Sequence, residues 1–104
     1  RPAQLTVYVA ADQAPDAVAA AVDAVVGLTV VGGPEYAEVD IERSDVLVLP
    51  VTESDLAGHV AFGWACGRGI PTIAFGSPSE LADQMAMVVC ATAAELIAAL
   101  KGMK

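Results

Sequence analysis

The sequence predicts a single α/β domain: a five-stranded, doubly wound parallel sheet with helices on both faces. Three observations predict it. Short apolar stretches rich in β-formers alternate with stretches of helical spacing five times along the chain, which is the pattern of parallel strands joined by helical crossovers. The stretch Val46-Leu47-Val48-Leu49 is apolar at every position, as a strand buried on both faces requires. The 104 residues are 56% hydrophobic, enough for one core in a chain of single-domain length. Crossovers between parallel strands are right-handed in almost all cases. Five such strands suit the flavodoxin-like order 2-1-3-4-5.

Leu5 to Ala10 is the first expected strand, with Val7, Tyr8 and Val9 as β-formers. The loop Ala10-Ala11-Asp12-Gln13 follows it. Pro15 suits the first turn of a helix and Asp16 suits its dipole. That helix is expected to run to about Val26, burying Val18, Val22, Val25 and Val26, and to stop at Gly27. Leu28 to Val31 is the second strand, ended by Gly32-Gly33-Pro34. The glycine pair lacks the Gly-x-Gly-x-x-Gly spacing and no helix follows at once, so it reads as a turn and not as a phosphate loop. Glu35 to Arg43 reads as one or two helical turns, with Val39 and Ile41 inward and Glu35, Glu38, Asp40 and Glu42 forming an acidic face.

Val46 to Leu49 is the third strand, closed by Pro50, which has no N–H for a ladder. The polar turn Thr52-Glu53-Ser54-Asp55 leads into a helix from Leu56 to Cys66, with Ser54 or Asp55 as its N-cap. Gly67 and Gly69 stop that helix, and Arg68 sits where a helix C-terminus favours a cation. Thr72 to Phe75 is the fourth strand. Ser77 and Pro78 open a further helix carrying Leu81 and Met85, and Met87 to Ala91 is the fifth strand. Thr92-Ala93-Ala94-Glu95 has the spacing of a capping box, ahead of a last helix that buries Leu96, Ile97 and Leu100.

Charge and composition narrow the function. A formal net charge of −8 argues against a general nucleic-acid or anionic-membrane binder, both of which need a basic footprint. It leaves room for one nucleoside, which a few hydrogen bonds can hold. Cys66 and Cys90 read as small buried hydrophobes, and with His59 the only histidine no metal site or cofactor is expected. No apolar run approaches the roughly 20 residues a membrane span needs, and no signal-peptide pattern is present. A soluble cytoplasmic protein is therefore expected.

In the order 2-1-3-4-5 the chain reverses direction between strands one and three, and ligands bind outside the strand C-termini at that point. The residues expected there are Ala10 to Gln13 and Pro50 to Asp55. A phosphoacceptor (receiver) domain is disfavoured, because Asp12 stands alone after the first strand and Pro50-Val51 ends the third. A flavin site is disfavoured as well, since Ala10-Ala11-Asp12-Gln13 is no phosphate loop.

Several short motifs agree with one another. They are Ser44-Asp45-Val46 entering the third strand, Asp55 in the loop, Gly63-Trp64-Ala65 in the helix and Gly69-Ile70-Pro71 before the next strand. Together they resemble the nucleoside 2-deoxyribosyltransferase family and its nucleotide N-glycosidase relatives. Leu5 to Ala10 looks like that family's first strand, and Val88 to Leu100 fits its last strand and helix loosely. The resemblance thus spans most of the chain. It implies glycosyl transfer or N-glycoside hydrolysis on a nucleoside or nucleotide, with Asp55 and an Asp ahead of the central strand, Asp40 or Asp45, at the site. Substrate contacts are expected from Ala10, Ala11, Asp12, Asp45, Glu53, Gly58 and His59.

One position departs from the family. Two residues before the helix glycine the family carries a Glu nucleophile, and here that residue is Ala61. Retaining N-glycoside chemistry attacks the anomeric carbon with a carboxylate, which a methyl group cannot do. Three readings stay open: a substitution made to hold a ligand uncleaved, a natural member that only binds, or a reaction taken over by Glu53 or Asp55. Asp55 also reads as a helix cap paired with His59 one turn on. A non-catalytic nucleotide-binding or assembly module on the same fold is the alternative function. The helix from Leu56 is apolar almost all round, so a second partner surface is expected, with Trp64 packed in the core or at an interface. The chain is accordingly expected to be a homodimer or larger, and the resemblance implies the same, since family sites are completed by a neighbouring subunit.

Overall fold

The computed structural model describes residues 4–11, 14–32, 38–52, 56–76 and 85–103. Five strands form one all-parallel sheet in the order β2-β1-β3-β4-β5. They are β1 (Leu5–Val9), β2 (Leu28–Gly32), β3 (Val46–Pro50), β4 (Thr72–Phe75) and β5 (Val88–Cys90). The described helices are α1 (Asp16–Asp23), α2 (Glu38–Glu42), α3 (Leu56–Gly67) and α4 (Ala93–Gly102). Residues 77–84 of the helix expected from Ser77, and the turn at Gly33-Pro34, fall outside the described residues.

Period-two alternation sorts the strand side chains into two cores. Leu5, Val7 and Val9 of β1, Val46 and Val48 of β3, and Ile73 and Phe75 of β4 pack on one face with Val18, Ala21 and Val22 of α1 and Leu96 and Leu100 of α4. Tyr8, Leu47, Leu49 and Ala74 pack on the other with Ile41 of α2 and Ala61, Phe62 and Ala65 of α3. This is why β3 is apolar throughout: all five of its residues are buried, and successive side chains enter different cores.

The strand ends mark where the sheet opens. β1 and β3 are paired only as far as Val9↔Val48. Leu47 and Val51 both donate to the β4 side, at Pro71 and Phe75, so by alternation Pro50 faces β1 beyond the end of their pairing. Its missing N–H therefore costs no ladder bond, and β3 runs one residue further than the sequence predicts. β2 likewise extends to Gly32, opposite Val9. A Cβ there would lie 2.5 Å from the Val9 carbonyl oxygen, at φ 126°, so only glycine lets the two strands approach.

Two expectations about burial are corrected. α1 ends at Asp23, with Ala24 as its C-cap. Val25 remains buried, but Val26 points out and is 84% exposed. On α2, Ile41 is buried while Val39 is 51% exposed. Residues two apart on a helix lie about 200° apart around its axis, so these two cannot both face the sheet. The capping box is present as predicted. Thr92 Oγ1 accepts from the Glu95 N–H at 3.2 Å, and the Glu95 carboxylate accepts from the Thr92 and Ala91 N–H groups at 3.1 and 2.7 Å.

Candidate functional site

The crevice at the β1/β3 switch point is floored by Ala10, Ala11 and Pro50, all buried, with Val51 and Thr52 at its rim. Ala10 donates its N–H to the Val48 carbonyl at 2.9 Å, and the Ala10 and Ala11 side chains enter the two cores. Any contact these two make with a ligand must come from backbone atoms. Asp12, Glu53 and Asp55, three of the expected site residues, lie outside the described residues.

The described residues form a cavity beside this crevice, between α2 and α3. It holds about 360 Å³ and is lined by Glu38 and Ile41 of α2 and by Leu56, Ala57, Val60, Ala61 and Trp64 of α3. Helices begin at the C-terminal edge of a parallel sheet, so Glu38, Leu56 and Ala57 form the upper end of this groove, next to the crevice. The small side chains of Ala57 and Ala61 on α3's α2-facing flank leave the space open. Its volume is at the lower end of small-ligand sites. Ala61, the position of the family nucleophile, is one wall.

The lower end of the groove is closed by charge and stacking. The Arg68 guanidinium lies 4.6 Å from the centroid of the Trp64 ring, a cation–π contact made possible by helical i,i+4 spacing. Its Nη2 is 3.4 Å from Glu42 Oε2, tying the end of α2 to the end of α3. Both partners of that pair are about half exposed, so it orients more than it stabilises.

Two buried donors, Tyr8 Oη and Trp64 Nε1, have no hydrogen-bond partner among the described residues. Burial pushes the Tyr8 phenol up from its ordinary value near 10, and the negative charge of Asp40 adds to that. Asp40 is thus felt by the core beneath α2. Its own side chain is exposed and is not among the groove's lining residues. Gly58 is buried toward the sheet, and half-buried His59 lies on the flank of α3 away from α2.

The expectation that Asp45 belongs to the site is corrected. Asp45 precedes β3, and in a parallel sheet that places it at the N-terminal edge, opposite the crevice. There its Oδ2 accepts from the Thr6 N–H at 2.7 Å and its own N–H donates to the Thr6 carbonyl at 2.8 Å. It closes the lower end of the β1–β3 pairing. Among the described residues no three His, Cys, Asp or Glu side chains converge to hold a metal, and no helix is long and apolar enough to cross a membrane. The groove itself offers one ionisable side chain, Glu38, in an otherwise apolar wall.

No protein-family model matches this chain, and no curated protein sequence matches it.

Proposed function

We propose that this chain is a nucleoside 2-deoxyribosyltransferase-like protein that binds a nucleoside or nucleotide at the α2–α3 groove and leaves its N-glycosidic bond intact. The observation that carries the reading is Ala61. The position at which the resembled family carries its nucleophile lines an apolar cavity of about 360 Å³, and its methyl group can form no glycosyl bond. The sheet order supports the same reading, since it sets a ligand crevice between β1 and β3. Flat apolar walls that include the Trp64 indole suit a nucleobase. Glu38 in the wall disfavours a phosphate by like charge, so an uncharged nucleoside is the preferred ligand. A cytoplasmic location goes with that ligand class.

Trp64 is the only tryptophan and stands in the groove wall, so its fluorescence reports occupancy. Titration with uncharged nucleosides is expected to give a saturable change, weaker with the monophosphates, and chromatography is expected to recover every ligand uncleaved. Absence of any change across the panel overturns the binding site. Release of free base overturns the claim that Ala61 abolishes the reaction.

A second reading, self-assembly, is favoured by a separate observation. α3 carries no charged residue, yet Leu56 and Val60 are 80% and 64% exposed. A homo-oligomer that uses this face accounts for both.

A further inference from the structure

The stack of Arg68 on Trp64 starts from a fixed backbone. At the end of α3, Gly69 takes φ 76°. Its N–H donates to the Cys66 carbonyl at 3.2 Å, and the Ile70 N–H donates to the Ala65 carbonyl at 3.0 Å. These bonds make a Schellman motif, which glycine completes without strain. Arg68 stands just inside that turn, and its own N–H donates to the Trp64 and Ala65 carbonyls at 3.0 and 3.1 Å. Its main chain is therefore pinned, and only the side chain is left to choose its partners.

Those partners are the Trp64 ring, whose centroid is 4.6 Å from the guanidinium, and Glu42 at the end of α2, 3.4 Å from Nη2. The ring lines the α2–α3 groove, and Arg68 does not. Yet Trp64 Nε1 is buried without a hydrogen-bond partner among the described residues. A buried donor with no acceptor is destabilising, by an amount comparable to what one cation–π contact and one exposed ion pair contribute together. Turning the ring outward would give Nε1 a water molecule as acceptor. The inward and outward positions of the ring are thus closely matched, and the Arg68 stack favours the inward one.

We propose that Arg68, steadied by Glu42, is the positioning residue that latches the Trp64 ring into the groove wall, and that ionic strength thereby tunes the groove's affinity for an uncharged nucleoside. Both members of the ion pair are about half exposed, so salt screens their attraction. With the pair weakened, the guanidinium leaves the ring more often, the ring turns out and the wall is lost. An uncharged ligand forms no ion pair of its own, so a salt effect on its binding reports the latch. This inference rests on the nucleoside reading above, while the state of the ring can be read without any ligand.

Trp64 is the only tryptophan, so acrylamide quenching of tryptophan fluorescence reports this ring alone. The test measures that quenching from low to high salt in the unliganded full chain and in Arg68→Ala, Arg68→Lys and Glu42→Gln. Equilibrium dialysis with adenosine and thymidine gives the affinities, and thermal melts check folding. In the unmodified chain, quenching is expected to rise with salt while affinity falls roughly two- to fivefold. Arg68→Ala is expected to be quenched strongly already at low salt, to bind roughly tenfold more weakly and to lose the salt response. Arg68→Lys keeps the charge without the planar face and is expected to lie between the two with its salt response retained. Glu42→Gln is expected to lie between them with the salt response lost, and it carries the test if Arg68→Ala does not fold. A ring as well shielded in Arg68→Ala as in the unmodified chain, or a salt response that persists there, overturns the latch. A freed ring with undiminished affinity overturns its link to the groove. Failure of the unmodified chain to bind either nucleoside overturns the nucleoside reading instead, and the quenching result still decides the latch.

Discussion

Removing one oxygen atom from the core should make this protein more stable. Tyr8 is fully buried in the middle of β1, paired with Val31 on one side and Leu47 on the other. Its hydroxyl has no partner among the described residues. A buried polar group without a hydrogen bond costs about 1–3 kcal/mol of desolvation. Tyr8→Phe removes that cost and leaves a gap the size of one oxygen, which returns a few tenths of a kcal/mol in lost contacts. The net expectation is a gain of about 1–2 kcal/mol. In urea, with m of roughly 1–3 kcal/mol/M, the midpoint should rise by about 0.3–2 M at unchanged m. In heat, the melting temperature should rise by roughly 4–8 °C per kcal/mol for a domain of this size. The variant should also differ at high pH. The folded phenol ionises above its ordinary value while the unfolded one ionises near 10, so the unfolded state loses its proton first. That contribution to stability is present below about pH 10 and is lost as pH rises from there through the folded value. Tyr8→Phe should flatten that loss. A variant destabilised by 1 kcal/mol or more would refute the reasoning, because it would mean that the hydroxyl has a partner.

Other consequences can be checked in the same way. Asp45→Ala removes the acceptor of the Thr6 N–H and should cost about 1–2 kcal/mol of stability in urea, while leaving nucleoside titration unchanged. An equal loss of ligand affinity would return Asp45 to the site. Thr92→Ala removes one half of the capping box and should cost about 1 kcal/mol by thermal unfolding. The Cys90 thiol is held above its ordinary value, first by burial and then by the Glu95 charge. Its contribution is lost as pH rises past the unfolded thiol value, so Cys90→Ala should reduce the fall in stability that begins near pH 9.

The parts of the fold legible in the sequence were those that burial writes in residue type. β1, β3 and β4 read as strands because both of their faces enter cores, and the spacing of Thr92 and Glu95 marked a helix start. The errors arose where one apolar residue could face either way. Val39 and Ile41 are equally apolar, and only the rotational phase of a five-residue helix buries one and exposes the other. Val26 follows a helix that turns off at Ala24, which periodicity alone does not time. Asp45 sits ahead of a parallel strand, and strand direction alone puts such a residue at the far edge from the crevice, whatever motif it belongs to. The α2–α3 groove has no sequence signature, since it depends on the spacing between two helices and on the small size of Ala57 and Ala61. The Arg68–Trp64 stack did have a signal, the i,i+4 spacing of an aromatic ring in the last turns of α3 and a cation just past its end.

The central claim is that the groove at Ala61 is a glycosidase-type site without its nucleophile. The most direct test compares the unmodified chain with Ala61→Glu, and with Ala61→Gln as an uncharged match in size, on a panel of nucleosides and nucleoside monophosphates, following free base by chromatography. The account predicts base release by Ala61→Glu alone. Release by the unmodified chain, or none from an Ala61→Glu chain that melts like its parent, would contradict it.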